Sequence, residues 1–339
     1  MEFMQKLCKV FEFTRMLLGL FVHFVIYKLG KSKMQRNEND ISGKCVVVTG
    51  GSGGIGKWCV KEFAQRGATV VIGVRNMETG RNVVDEIQKE TGNMNVTILN
   101  LDLSDMDSVE EFARKVSTDY PKIKILLNNA GIGASKSENV KTKDGFNIHV
   151  AVNYLSHFLL TNLLMDNLKA ETNSRIVSMT STFALMSQLQ IDDLNMDKSR
   201  FGLQNFIPYS NTKCMLALFT KELGKRIGVN VYAVCPGIVD TAIFDDVPLL
   251  AKLVFRMSRL FTTSPKEAAS NFVMRCALEK SLENESGETY RFRGHFHAVK
   301  KKLETYSESH LYETSARLVN LKERMERIHS PLETQTLTL

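Results

Sequence analysis

The sequence contains no Cys-x-x-Cys pair, no long lysine or arginine block and no uninterrupted apolar run of twenty residues. Each absence excludes something. Its six cysteines, at 8, 45, 59, 214, 235 and 276, show no metal-like spacing, so no zinc module is expected. Cys45 and Cys235 lie inside apolar strand-like runs, where a free thiol behaves as a small hydrophobe, and the pattern fits a reducing compartment. The histidines add no metal site: His149 and His157 share one helical stretch and read as satisfied core residues, and His295 and His297 alternate near a predicted terminal strand. The formal charge of +7 is spread along the chain. With no zinc-finger spacing or RNP-like motif, nucleic acid is not an expected partner, and a membrane surface or an anionic cofactor accounts better for the excess. Asn95-Val96-Thr97 and Asn284-Glu285-Ser286 match the glycosylation tripeptide, a match frequent by chance.

What is present begins with a short hydrophobic segment. Met16 to Tyr27 reads MLLGLFVHFVIY, preceded by Lys6, Lys9 and Arg15 and followed by Lys28, Lys31, Lys33 and Arg36. A comfortable membrane-spanning helix needs roughly twenty apolar residues. No small-x-small cleavage site follows, and the basic cluster argues against cleavage. An uncleaved anchor or a shallow interfacial helix is therefore expected over a secretory signal, with an extra helix packed on the domain as the alternative. Bases just after the segment favour a cytoplasmic catalytic domain.

From Lys44 onward, strand and helix alternate. Short apolar runs rich in β-branched residues occur at 45–49, 69–74, 96–101, 123–128, 175–179 and 229–235. Helical stretches reach to Arg66 and cover 78–90, 105–118, 147–169 and 206–226. Continuous apolar strands separated by helices predict a parallel sheet covered on both faces. The expected fold is α/β, a single Rossmann-like doubly wound parallel sheet with its ligand crevice beyond the carboxyl ends of the strands. Residues 1–40 form the hydrophobic and basic segment, 41–300 the α/β domain with a lid at 238–264, and 301–339 a C-terminal helix and tail.

Two local patterns carry chemistry. Thr49-Gly50-Gly51-Ser52-Gly53-Gly54-Ile55-Gly56 follows the first strand and opens the first helix. Glycines let the backbone turn tightly and approach a pyrophosphate, which then sits on the N–H groups of the helix N-terminus. Tyr209 and Lys213 begin a long helical stretch, and a spacing of four puts phenol and ammonium on one face. A cation beside the phenol favours phenolate and brings its pKa toward the working range. The second strand ends in Gly73-Val74-Arg75-Asn76, with no acidic residue. An acid there would accept from a ribose 2′-hydroxyl, whereas Arg75 suits a 2′-phosphate. NADP(H) is therefore expected over NAD(H).

These patterns resemble the short-chain dehydrogenase/reductase family. Gly50, Ser52, Gly54, Ile55 and Gly56 match its T-G-x-x-x-G-[IL]-G turn, and Asn128-Asn129-Ala130-Gly131 its N-N-A-G motif. The resemblance implies that Asp102 contacts the adenine, that Asn129 lines the cofactor, and that Pro236, Gly237 and Thr241 form the turn near the carboxamide. It makes Tyr209 the proton donor or acceptor, with Lys213 on the nicotinamide ribose. Ser181 holds the substrate oxygen, with Thr180 as competitor and Ser178 pointing into the strand, and Asn153 helps hold a water linked to Lys213. Met179-Thr180 replaces the family's usual Val-Ser before the serine.

The stretch from Lys143-Asp144-Gly145-Phe146 to Asn153-Tyr154-Leu155-Ser156-His157 is similar to the retinol dehydrogenase branch. That implies a lipophilic alcohol or carbonyl substrate, retinoid-like, and a membrane location, endoplasmic reticulum or mitochondrial. A steroid or xenobiotic carbonyl reductase is the alternative substrate reading, and homo-oligomers are compatible with it. In the lid, Leu249, Leu250, Leu253, Val254, Met257, Leu260 and Phe261 recur at helical spacing with Lys252, Arg256 and Arg259 between them; such a helix either touches the membrane or covers the pocket. Leu311, Leu318, Leu321, Met325 and Ile328 predict another helix, docked on the domain. An inactive scaffold is opposed by the complete set Asn153, Ser181, Tyr209 and Lys213. A sugar-nucleotide epimerase is opposed by the glycine spacing and by the absence of a larger C-terminal substrate domain.

Overall fold

A computed structural model describes residues 38–133, 140–198, 206–237, 239, 263–292 and 294–329. The hydrophobic segment 16–27, Thr241, the tail 331–339 and all of the lid except Val239, Thr263 and Ser264 lie outside the described residues. Val239 and Thr263 form an isolated parallel bridge.

Six strands fall where the apolar runs place them: β1 (Cys45–Thr49), β2 (Thr69–Val74), β3 (Val96–Asn100), β4 (Ile123–Asn128), β5 (Arg175–Met179) and β6 (Asn230–Cys235). Two short strands, β7 (Glu288–Arg291) and β8 (Gly294–His295), complete a sheet of order β3-β2-β1-β4-β5-β6-β7-β8. All neighbours are parallel except the β7–β8 pair, which is antiparallel. The expected all-parallel sheet is therefore corrected at its last edge, where a turn too short for a crossover forces the chain back on itself. The order reverses between β1 and β4, and the crevice for a ligand opens at such a reversal.

Helices cover both faces. One face carries α1 (Gly54–Gln65) and α2 (Met77–Thr91). The opposite face carries α3 (Met106–Asp119), the helical stretch that begins at Ile148 and α6 (Ile207–Arg226). The stretch read as one helix over 147–169 is broken. Its first part, α4, runs through Ile148–Val150, a π turn at Ala151–Leu155 and Ser156–Leu163, and a separate α5 (Met165–Lys169) follows. Caps set the boundaries: Asn76 accepts from the Thr79 amide, and Asp105 from those of Asp107 and Ser108, each satisfying N–H groups that the helix leaves free.

A third helical stretch, α7, runs through Pro265–Ala268, a π turn at Ala269–Val273 and Met274–Leu278 against α1. The C-terminal reading needs one correction. In place of one helix there are α8 (His297–Leu303), α9 (Glu308–Leu318) and α10 (Leu321–His329). Asn320 at φ +50° breaks the last two, a conformation asparagine tolerates better than most side chains. They dock on α4: Tyr154 Oη lies 2.8 Å from Ser315 Oγ, and Tyr312 Oη donates to Asn162 Oδ1 at 2.7 Å. Among the described residues no helix is long and apolar enough to cross a membrane, and no group of histidine, cysteine or acidic side chains could hold a metal. The five described cysteines are free and buried.

Candidate active site

The glycine turn is shaped by two different requirements. Gly50 has φ +67°, a left-handed conformation that other residues adopt at a cost. At Gly56 an added Cβ would stand 2.2 Å from the Gly50 carbonyl oxygen and 2.5 Å from Asn129 Nδ2, so only glycine lets α1 pack this closely on the turn. Gly53, by contrast, faces open space. It is the N-cap of α1 and makes no side-chain cap bond, so the amides of the first turn are free to receive an anion. Ser52 and Ile55 are half-buried and Gly54 is exposed at the same mouth. The residues fit a pyrophosphate.

Asn129 braces this turn. Its Nδ2 donates to the carbonyls of Thr49 and Gly50 at 3.0 and 3.1 Å. Arg75 stands exposed at the end of β2, with no hydrogen bond or ion pair among the described residues. Asp102 Oδ1 accepts from the amide and hydroxyl of Ser104, which makes it in part a turn residue. Pro236 is buried, and Gly237, at φ +78°, follows the end of β6.

Tyr209, Lys213, Ser181 and Asn153 come together where β4 and β5 end. Tyr209 is buried, and its ring meets Phe183 edge-on at 5.8 Å. The Lys213 ammonium lies 5.6 Å from the centroid of the Tyr209 ring and donates to the Met179 carbonyl at 2.9 Å. Ser181 caps the 3-10 turn Thr182–Met186, accepting from the Phe183 amide, and its hydroxyl stands beside the Tyr209 phenol, where it opposes the rise in that group's pKa. Thr180 is engaged elsewhere, donating to the Lys213 carbonyl at 2.7 Å. Ser178 is buried 3.5 Å from Asn128 Nδ2.

Asn153 occupies the centre of the π turn. Its Oδ1 accepts from the Ile132 amide at 2.8 Å, and its Nδ2 donates to the Ile132 carbonyl and to Thr212 Oγ1. One residue outside the expected set belongs here. A Cβ at Gly131 would stand 3.1 Å from Asn153 Oδ1 and 3.4 Å from Lys213 Nζ. Its signal was its place in the N-N-A-G motif.

The electrostatics differ from the expectation in one respect. Burial pushes the Tyr209 phenol up to about 12, opposed by the Ser181 hydroxyl. Burial also pulls Lys213 down to about 8. Burial outweighs the lowering expected from Lys213, whose ammonium sits against the ring face and is turned to the Met179 carbonyl. The chain by itself keeps Tyr209 as a phenol, the proton-donating form.

A family model of the short chain dehydrogenases matches residues 44–192. Retinol dehydrogenase 12 of Mus musculus is 38% identical over 253 residues, covering 74% of this chain and 78% of its own. The chain belongs to the short-chain dehydrogenase family. Human retinol dehydrogenase 11 is 36% identical over 282 residues, 80% of this chain and 86% of its own. These relatives place the chain in the retinol dehydrogenase branch, and it is an oxidoreductase acting on CH–OH groups. Among solved structures, a short-chain dehydrogenase of Burkholderia cenocepacia in complex with NADP superposes with a TM-score of 0.59 at 25% identity, covering 76% of this chain and 99% of that one. The short-chain dehydrogenase fold is one that binds nicotinamide dinucleotides.

Proposed function

We propose that the protein is an NADP(H)-dependent reductase of lipophilic aldehydes or ketones, retinal-like in size and polarity. The observation that carries this reading is the convergence of Tyr209, Ser181, Lys213 and Asn153 at the strand ends beside the glycine turn. The bound nicotinamide supplies the hydride. The amides at the start of α1 and the Gly50–Gly56 turn hold the pyrophosphate, with Asp102 and Asn129 along the adenine and ribose side and Pro236, Gly237 and Thr241 at the carboxamide. Arg75, exposed and unpaired among the described residues, supports the 2′-phosphorylated form.

Tyr209 is buried as a phenol and gives its proton to the carbonyl oxygen. Ser181, beside that phenol, donates to the same oxygen as charge develops on it. Lys213 orients the nicotinamide ribose and restores the proton, and Asn153 fixes the helix turn from which a water reaches Lys213. At about 12 the phenol keeps its proton at neutral pH and so has one to give. The retinoid class rests on the relatives. A membrane location, endoplasmic reticulum with the catalytic domain on the cytoplasmic side, rests on residues 16–27 and their flanking bases.

Anaerobic turnover of all-trans-retinal and of aliphatic and steroid carbonyls, with NADPH and NADH compared, tests the reading. Retinal reduction preferring NADPH and falling by about 100-fold or more in Tyr209→Phe is expected. Turnover that survives Tyr209→Phe unchanged would sink the mechanism, and activity confined to steroids would replace the substrate class.

A further inference from the structure

Arg291 ends β7, in register with Cys235 at the end of β6. Both residues stand at the carboxyl edge of the sheet. Cys235 belongs to the face that carries α6, whereas the neighbouring Tyr290 belongs to the opposite face. Strand alternation and parallel register therefore put Arg291 on the α6 side. Cys235 Sγ is 3.3 Å from Thr182 Oγ1, the residue after Ser181.

Arg291 is 8% exposed. It lies 4.8 and 5.0 Å from the ring centroids of Phe292 and Phe296. Its Nε and Nη2 are buried with no hydrogen-bond partner, and no carboxylate pairs with it among the described residues. The other deeply buried arginine of the sheet leaves only its Nε without a partner: Arg175 donates to the carbonyls of Cys276 and Glu279 and lies 3.6 Å from Glu283. An arginine does not escape by losing its proton, and a buried cation without an acceptor is destabilising. Aromatic faces offset only part of that cost.

Nε and Nη2 are the two donors on one edge of the guanidinium plane, the pair that meets both oxygens of a carboxylate. The glycine turn that would hold the cofactor's pyrophosphate lies far from this edge. Strands are about 4.8 Å apart, so β7 is four strands, about 19 Å, from the glycine turn after β1, and two strands, about 10 Å, from β5 and Ser181. We propose that Arg291 anchors a carboxylate at the remote end of a bound substrate, so that beside the uncharged carbonyls proposed above the site takes amphiphilic oxo-acids, with an apolar chain between carbonyl and carboxylate, and prefers them to uncharged aldehydes of the same length. This rests on the oxidoreductase reading above for the position of the reacting carbonyl.

The experiment compares decanal with 10-oxodecanoate on the full chain, wild type, Arg291→Met and Arg291→Lys. Wild type should prefer the oxo-acid in kcat/KM by about tenfold or more; Arg291→Met should lose that preference while keeping decanal turnover, and Arg291→Lys should keep only part of it. A wild-type preference for decanal, or an equal preference in wild type and Arg291→Met, overturns the proposal. A thermal-shift comparison of dodecanoate with dodecanol separates the two readings. Stabilisation by dodecanoate that vanishes in Arg291→Met supports the carboxylate site even if neither aldehyde is reduced, and no such difference overturns it. Should Arg291→Met fail to fold, Arg291→Lys and the wild-type preference still decide.

Discussion

His157 bridges Thr49 and Asn153. Its Nε2 lies 2.9 Å from Thr49 Oγ1, and its Nδ1 lies 3.2 Å from the Asn153 carbonyl. Thr49 Oγ1 already accepts from the amides of Asn129 and Ala130 at 3.0 Å each. Its own hydrogen therefore goes to His157 Nε2, much nearer than the Leu127 carbonyl at 3.5 Å. That fixes Nδ1 as the protonated nitrogen, donating to Asn153. One buried imidazole thus ties the start of the glycine turn to the π turn that carries Asn153.

Replacing it should loosen both ends together. His157→Phe leaves the Asn153 carbonyl and the Thr49 hydroxyl without this partner, at about 1–3 kcal/mol for each buried group. Weaker NADPH binding and slower turnover are expected together. Wild-type values of both the NADPH Kd and kcat in His157→Phe would refute the bridge.

Gly53 and Gly56 should part company. Alanine at 56 meets the Gly50 carbonyl at 2.2 Å, so Gly56→Ala should lower stability by about 1–3 kcal/mol. Alanine at 53 meets nothing; Gly53→Ala should keep the Tm and weaken NADPH binding. Denaturant unfolding alongside NADPH fluorescence titration distinguishes them, and a large stability loss in Gly53→Ala would contradict the open mouth.

Arg75 should discriminate between the cofactors. Arg75→Ala is expected to raise the KM for NADPH about tenfold or more while leaving that for NADH nearly unchanged. An equal effect on both would show that the arginine does not read the 2′-phosphate.

Acid should destabilise the protein before its carboxylates protonate. Burial holds His149 and His157 down to about 4 from the usual 6.5. Between those values the unfolded chain binds protons that the folded chain refuses, so stability is lost as pH falls from about 6.5 to about 4. Urea unfolding across that range should show the slope. A flat profile in wild type, or one unchanged in His157→Phe, would remove His157 from it.

The sequence by itself determined what depends on near neighbours. Apolar runs of β-branched residues placed β1 to β6 within a residue or so, because their period is local. Glycines at 50 and 56 announced a turn, and the spacing of four placed Lys213 against the Tyr209 ring, because a helix brings such residues together wherever it sits. Tertiary structure decided the rest. Of the terminal strands the sequence announced only one, near His295; β7 and β8 span four and two residues, too short for a periodic signal, and pair because β6 offers β7 an edge and β7 in turn offers one to β8. The π turn at Asn153 breaks an unbroken helical pattern, held by bonds to Ile132 and Thr212, distant in the chain. The direction of Lys213, toward the Met179 carbonyl, and the raised pKa of Tyr209 follow from burial and from groups on other elements. Periodicity along one segment carries no record of either.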